Sequence, residues 1–392
     1  MALMLAGNIQ LSSAQKVWKG TWATAVEYTG QGDMPKESLS NRSCRQIVHV
    51  SFGGNELRLK LSNEQSKEPV EIKSVYLADT DDDCNWFVKG KTVKYLTFNG
   101  RKNVSIGPGK SLYSDVAKYH LKAGQRLTIT IDYGKLTPEH ATSHRGSRTT
   151  SYIVNGLHRT ARPMDKSFDD GEKVDHWYNL SALDVMTDKS TPVVAVLGNS
   201  ITDGRGSTTN MQNRWTDFLS DELNAERPYG VLNLGIGGNC VVEGGLSEPA
   251  MKRFDRDILG QAGVDKLIIF EGTNDIGCSK KNYEYVADTL IACYKVLIGK
   301  AKERGIKVYG ATITPTKGNG WYSYWHEAIR QTVNEWIRTS KNFDEIIDFD
   351  EFVRDPKDPQ RLKAEYSDDW LHLNPKGYEA MGKYAAEKLK EK

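Results

Sequence analysis

Val193-Val194-Ala195-Val196-Leu197 is an unbroken apolar run, mostly β-branched, that stops at Gly198. A run this short and this uniformly apolar suits a strand buried on both faces, as in a parallel sheet, better than a half-exposed strand, which would alternate. The design recurs at Gly230 to Leu234, Lys266 to Phe270, Lys307 to Ile313 and Glu345 to Phe349. Helical patterns separate these runs, from Trp215 to Asn224, Asn282 to Arg304 and Trp325 to Thr339, and a last one covers Pro375 to Lys390. Regular alternation of buried strand and helix predicts a doubly wound α/β sheet with helices on both faces.

Before Thr191-Pro192 the pattern is different. Leu57, Leu59 and Leu61 alternate with polar neighbours, as do Leu127, Ile129 and Ile131, and Val93, Tyr95 and Thr97 less cleanly. Gly53-Gly54, Gly107-Pro108-Gly109 and Ala123-Gly124 punctuate these segments. Period-two alternation broken by turns predicts many short antiparallel strands, hence a β-sandwich of jelly-roll type. The expected division is therefore a tail over 1–14, a β-sandwich over 15–185 and an α/β domain over 190–392. The tail contains Ala2-Leu3-Met4-Leu5-Ala6 followed by Ser12-Ser13-Ala14, which reads as the remnant of a signal peptide and favours a secreted or periplasmic protein.

Charge argues against some partners. With 53 Lys+Arg against 51 Asp+Glu the formal net charge is +2, which supplies no field for nucleic acid or an anionic membrane, nor for a polyanion held by charge. No run is long enough to span a bilayer. The five cysteines, Cys44, Cys84, Cys240, Cys278 and Cys293, lack Cys-x-x-Cys spacing, so no zinc site is expected. Pairing of Cys44 with Cys84 or of Cys240 with Cys278, or five free thiols, all remain open, as does the oligomeric state.

Four segments carry the chemistry. Gly198-Asn199-Ser200, Asn233-Leu234-Gly235-Ile236-Gly237-Gly238-Asn239 and Glu271-Gly272-Thr273-Asn274-Asp275 each follow a predicted strand, and Asp369-Trp370-Leu371-His372 precedes the last helix. A serine hydroxyl needs a base to take its proton, and imidazole titrates near neutral pH. A carboxylate on the second ring nitrogen fixes the tautomer and stabilises the imidazolium. Ser200 is the expected nucleophile, His372 the base and Asp369 its orienter; the N–H groups of Ser200 and Gly235 and the Asn274 amide are the expected oxyanion donors. The carboxyl ends of parallel strands are where open α/β sheets bind ligands.

These four segments resemble the four blocks of the SGNH hydrolase superfamily, also called GDSL esterases and lipases. The family's signature positions fall on Ser200, Gly235, Asn274 and His372, with Asp369 completing the triad. The resemblance covers about residues 190 to 392 and implies a three-layer α/β/α, flavodoxin-like hydrolase that uses neither metal nor cofactor. The family's usual Gly-Asp-Ser reads Gly198-Asn199-Ser200 here; Asn is isosteric with Asp, so a change of local charge is expected rather than lost activity. The whole chain resembles two-domain bacterial members that place a β-sandwich before the hydrolase, including esterases of plant polysaccharides.

The expected reaction is therefore hydrolysis of short acyl, foremost acetyl, esters on carbohydrate. A broad carboxylesterase or feruloyl-type enzyme is the alternative. Gly204-Arg205-Gly206 and the Gly235 segment do not form Gly-x-Gly-x-x-Gly before a helix, which disfavours a nucleotide site. A glycan-binding role stays open for the β-sandwich. Around Gly320-Trp321-Tyr322-Ser323-Tyr324-Trp325, the aromatic faces of Trp321, Tyr322 and Trp325 are candidates to stack on a sugar ring or an aryl ester; the alternative is that Trp325 and Ile329 are merely the buried stripe of a helix. Asn239 is a further candidate contact, and Glu271 a positioner of Asn274 or simply structural. Arg145 and Arg148 lie in a β-domain loop that either reaches substrate or is only a solvated connection.

Overall fold

The computed structural model describes residues 15–81, 84–157, 166–280, 283–390. The tail read as a signal-peptide remnant lies outside them.

Five parallel strands form the sheet of the C-terminal half. Their spatial order is Gly230–Gly235, Val193–Gly198, Lys266–Phe270, Lys307–Ala311, Glu345–Ile347, so in chain order they stand 2-1-3-4-5. Successive residues of the central strand face opposite layers. Val193, Ala195 and Leu197 pack with Leu290 and Leu297 of helix Tyr283–Glu303 and with Ile329 and Val333 of helix Tyr324–Thr339. Val194 and Val196 pack instead with Trp215 and Leu219 of helix Trp215–Asn224 and with Met381 and Ala385 of helix Pro375–Lys390. Burial on both faces is why this strand reads as an unbroken apolar run. The order reverses between Val193–Gly198 and Lys266–Phe270, and a ligand crevice opens at such a point beyond the carboxyl ends.

The N-terminal half is antiparallel. One sheet runs Lys16–Ala23, Leu180–Asp188, Gly54–Asn63, Lys110–Tyr113, with Ala117–Leu121 also on Gly54–Asn63. A larger one is centred on Arg42–His49, Arg126–Tyr133 and Val70–Asp79. Leu57, Leu59 and Leu61 of the first meet Leu127, Ile129 and Ile131 of the second in one core, which makes the pair a β-sandwich.

The two halves are packed together along the strand Lys16–Ala23. Gly20 N–H donates to Ala262 O at 2.9 Å, Val231 N–H to Ser51 Oγ at 3.2 Å, and His49 Nδ1 lies 3.1 Å from Asp217 Oδ1. Ala23, Ala25 and Ala182 belong to the same buried cluster as one face of the parallel sheet. All five cysteines are free thiols.

Candidate active site

Strand Val193–Gly198 ends under a one-turn helix, Ser200–Asp203, and Ser200 is its first residue. Asn199 caps it, its Oδ1 accepting from Ile201 N–H at 3.0 Å, the bond an aspartate would accept. A Cβ on Gly198 would stand 2.2 Å from Thr202 Oγ1, so the tight strand-to-helix turn requires glycine there. As first helical residue, Ser200 has an N–H with no intrahelical acceptor.

Ser200 Oγ lies 2.8 Å from His372 Nε2, and His372 Nδ1 lies 2.7 Å from Asp369 Oδ2. The other oxygen of Asp369 accepts the N–H groups of His372 and Leu371 at 2.7 and 3.0 Å. Burial raises the Asp369 carboxyl, but these bonds outweigh it and keep the group ionised. Burial lowers the His372 pKa below its ordinary 6.5; the Asp369 bond raises it, and the nearby Arg205 and Arg148 lower it further. A neutral imidazole bonded to the serine hydroxyl can accept its proton at neutral pH.

The cleft above Ser200 has a volume of about 770 Å³ and exposes Gly237, Gly238, Asn274, Trp321 and His372. Asn274 Nδ2 donates one hydrogen to Asn239 O at 2.7 Å, which leaves the second directed elsewhere. Gly235, expected as an oxyanion donor, is not at the cleft. It is still inside the strand, its N–H donates to Asn233 Oδ1 at 3.0 Å, and a Cβ on it would stand 2.5 Å from the buried Asp203 N. Gly238, three residues on, has a left-handed φ of 70° and lines the cleft, and its N–H has no partner among the described residues. The second glycine of the Gly237-Gly238 pair is the sequence signal for this turn.

Other expected contacts lie elsewhere. Asn239 is fully buried; its side chain donates to Leu246 O and Glu248 O and accepts from Arg253. Tyr322 donates its hydroxyl to Gln360 Oε1 at 2.6 Å and does not line the cleft. Trp325 is 62% exposed on the outside of its helix and stacks on Tyr283 at 5.3 Å. Of the three aromatics only Trp321 reaches the cleft wall, where it lies against Gly277 so closely that a Cβ there would overlap the ring.

Arg253 was not anticipated. Its fully buried guanidinium holds the ends of two strands, donating to Leu234 O at 2.8 Å and Gly198 O at 3.2 Å, and binds Asn239 Oδ1 at 2.9 Å. Glu271 Oε1 lies 3.6 Å from it. Burial pushes the Glu271 carboxyl up to about 8 despite Arg253, and the Asn199 amide lies against it without a well-formed bond. An aspartate at 199 would put a second carboxyl beside this one, so Asn199 suits its neighbour.

A carboxyl whose pKa is raised by folding favours the native state at low pH and loses that advantage as pH climbs from 4.5 through about 8. Glu271→Gln is therefore expected to flatten the fall of stability over this window, by at most about 1.4 kcal/mol per pH unit. Denaturant melts of both proteins between pH 5 and 9 measure it; parallel curves would show that Glu271 is ionised throughout.

The loop Arg145-Gly146-Ser147-Arg148 of the N-terminal half completes the site and is not a solvated connection. Asp203, last residue of the Ser200 helix, is buried and accepts from His144 Nε2 at 2.8 Å and from an Arg148 NH2 nitrogen at 2.6 Å. Gly146 passes so close that a Cβ would be 2.0 Å from Asp203 Oδ2. Arg145 is bound to Glu27 at 2.6 Å. Among the described residues no group of three His, Cys, Asp or Glu side chains is arranged to hold a metal ion, and no helix is long and apolar enough to cross a membrane.

Residues 196–380 match the GDSL-like lipase/acylhydrolase family. Solved structures with likeness to the chain include a lipase/acylhydrolase from Enterococcus faecalis, 20% identical, covering 51% of this chain and 96% of that one at a TM-score of 0.40. A GDSL-like lipase from Bacteroides thetaiotaomicron is 21% identical, covering 52% and 91% at a TM-score of 0.39. A carbohydrate acetylesterase from Sinorhizobium meliloti is 17% identical, covering 51% and 98% at a TM-score of 0.39. No curated protein matches the sequence.

Proposed function

We propose that this chain, whose residues 196–380 match the GDSL-like lipase/acylhydrolase family, is a serine esterase that removes short acyl groups, foremost acetyl, from carbohydrate. The observation that carries the reading is the unbroken chain of hydrogen bonds Ser200–His372–Asp369 at the mouth of the cleft.

In this mechanism Ser200 Oγ attacks the ester carbonyl while His372 Nε2 takes its proton, and Asp369 stabilises the imidazolium. The tetrahedral oxygen is held by the N–H groups of Ser200 and Gly238 and by Asn274 Nδ2; Gly238 replaces Gly235 in this role. His372 then protonates the departing alcohol, and water hydrolyses the acyl-enzyme by the same route.

Cleft composition supports a polar alcohol and a small acyl group. Among the described residues the cleft wall joins Leu246, Leu371, Trp321 and Cys278 with Asn274, Asn319 and the charged Glu27, Arg148 and Arg205, a mixed lining that offers a sugar both hydrogen-bond partners and apolar contact. Trp321 offers a ring on which a sugar face can lie. Turnover of aryl esters is expected to fall beyond about four acyl carbons, an order-of-magnitude limit for an esterase of short acyl groups, with acetate released from acetylated xylan. Preference for long acyl chains would overturn the carbohydrate reading and leave a lipase.

A further inference from the structure

We propose that Arg205 and Arg148 form an anion subsite, and that the enzyme prefers esters whose alcohol half bears a carboxylate near the scissile bond, as in an acylated uronate residue. This rests on the esterase reading above.

Charge pairing around the cleft points to Arg205. Its acidic wall residues are Glu27, Asp203 and Asp369. Glu27 is bound by Arg145, Asp203 by both His144 and Arg148, and Asp369 by His372. Arg205 alone among the basic residues of the cleft has no carboxylate partner among the described residues. Its backbone is fixed all the same: its N–H donates to Ser200 O at 2.9 Å and its carbonyl accepts from the Tyr378 hydroxyl at 2.5 Å. The anchored backbone fixes where the exposed guanidinium can reach, and its planar fork loses less entropy per hydrogen bond formed than an ammonium would.

Arg148 adds a second, partly neutralised cation. One NH2 nitrogen binds Asp203, yet that single carboxylate also serves His144, and Arg148 Nε is buried with no partner. Its backbone lies in the left-handed region at φ 49°, unusual for a side chain of this size, and is pinned where Asn210 N–H donates to its carbonyl at 2.9 Å. Strain held in place beside a reactive serine is a mark of a functional position.

Position selects the alcohol half of the ester. Both arginines line the cleft together with His372, and Gly206, next to Arg205 in the chain, passes so close that a Cβ on it would lie 3.6 Å from His372 Cβ. His372 hands its proton to the departing alcohol, so the group next to those arginines is the alcohol, whereas the acyl oxygen points to Gly238 and Asn274. The whole-chain charge of +2 is no guide to this local field.

The test compares acetate release from an acetylated methyl glucuronide and the matching methyl glucoside by the wild type, Arg205→Gln and Arg205→Lys. One charge-assisted contact predicts a preference for the uronide of about tenfold in kcat/KM at low salt. Arg205→Gln is expected to remove most of that ratio and to move the acid limb of kcat/KM to higher pH, because a cation beside His372 is gone; Arg205→Lys should restore both. Equal ratios in wild type and Arg205→Gln overturn the subsite. If neither sugar ester nor an aryl acetate is hydrolysed, the esterase reading fails instead. Calorimetric titration of methyl glucuronide and methyl glucoside into Ser200→Ala then decides the subsite separately, with tighter uronide binding supporting it and equal binding refuting it.

Discussion

Ser200→Ala is expected to lower kcat/KM for an aryl acetate by about 10⁴-fold or more while the thermal midpoint stays within a few degrees of the wild type. The large factor follows from chemistry rather than from contact. Among the described residues Ser200 alone has its hydroxyl hydrogen-bonded to an imidazole, at 2.8 Å, and that base is itself bound at 2.7 Å to a carboxylate. Removing the oxygen removes the acyl-enzyme path altogether, leaving only the binding and oxyanion donors, which act on a water that nothing positions. The small stability effect follows from the structure: the Ser200 side chain bonds only to His372, while the turn is held by Asn199 and by backbone bonds at Asp203 and Gly204. Cys278 also lines the cleft as a free thiol, but among the described residues no base is hydrogen-bonded to it. Mass spectrometry after a serine-directed phosphonate should therefore find one adduct in the wild type and none in Ser200→Ala. An adduct on the variant, or turnover within tenfold of wild type, would remove Ser200 from its role.

The parallel sheet was readable because burial on both faces leaves an unmistakable mark. Val193 to Leu197 needs apolar side chains at every position, since alternate residues face different helices. Helix Trp215–Asn224 announced itself equally well, with Trp215, Leu219 and Leu223 on one face. What failed was the step from strand end to donor. Reading the run as ending at Leu234 makes Gly235 the first loop residue, whereas the strand continues through Gly235, whose N–H turns back to Asn233. Asn239 looked like a polar residue at a ligand edge and is a buried anchor, because its partner Arg253 comes from the short helix Ala250–Phe254, which the strand-and-helix pattern did not include. Buried arginines are rare enough that no sequence rule expects one. Trp325 failed for the opposite reason: at helical spacing from Ile329 it suggested either a core stripe or a ligand face, and it is an exposed ring covering Tyr283. For the loop Arg145 to Arg148 the sequence leaves reach to substrate and a solvated connection undecided, since the choice depends on how two separately patterned halves dock.

That docking makes Asp203→Ala the second large effect. Asp203 closes the helix that begins with Ser200, and its carboxylate is the shared acceptor of His144 and Arg148 from the other half of the chain. Burial pushes the Asp203 carboxyl up, but Arg148 and His144 outweigh it and hold it below 3.8. Burial likewise opposes protonation of His144, yet its bond to Asp203 raises it above 6.5. Deleting the carboxylate leaves the buried His144 and the part-exposed Arg148 without their shared acceptor; breaking a buried ion pair costs about 3–5 kcal/mol, an upper bound here because Arg148 faces the open cleft. The sign of each shift fixes where this shows. A depressed carboxyl contributes stability above 3.8 that is lost only at lower pH, and a raised imidazole contributes stability below 6.5 that is lost as pH rises through its folded value. The gap between wild type and Asp203→Ala in urea melts is therefore expected to be widest from about pH 4 to 6.5 and to narrow above it. Activity should fall at every pH, since the Ser200 helix and the Arg148 wall both lose their anchor. Asp203→Asn, which keeps the volume and one acceptor, should recover part of the stability without restoring the pH dependence. A gap that is small and flat with pH would mean that the halves are held by the Lys16–Ala23 strand and its apolar contacts alone, and that the His144–Asp203–Arg148 cluster is incidental to the site.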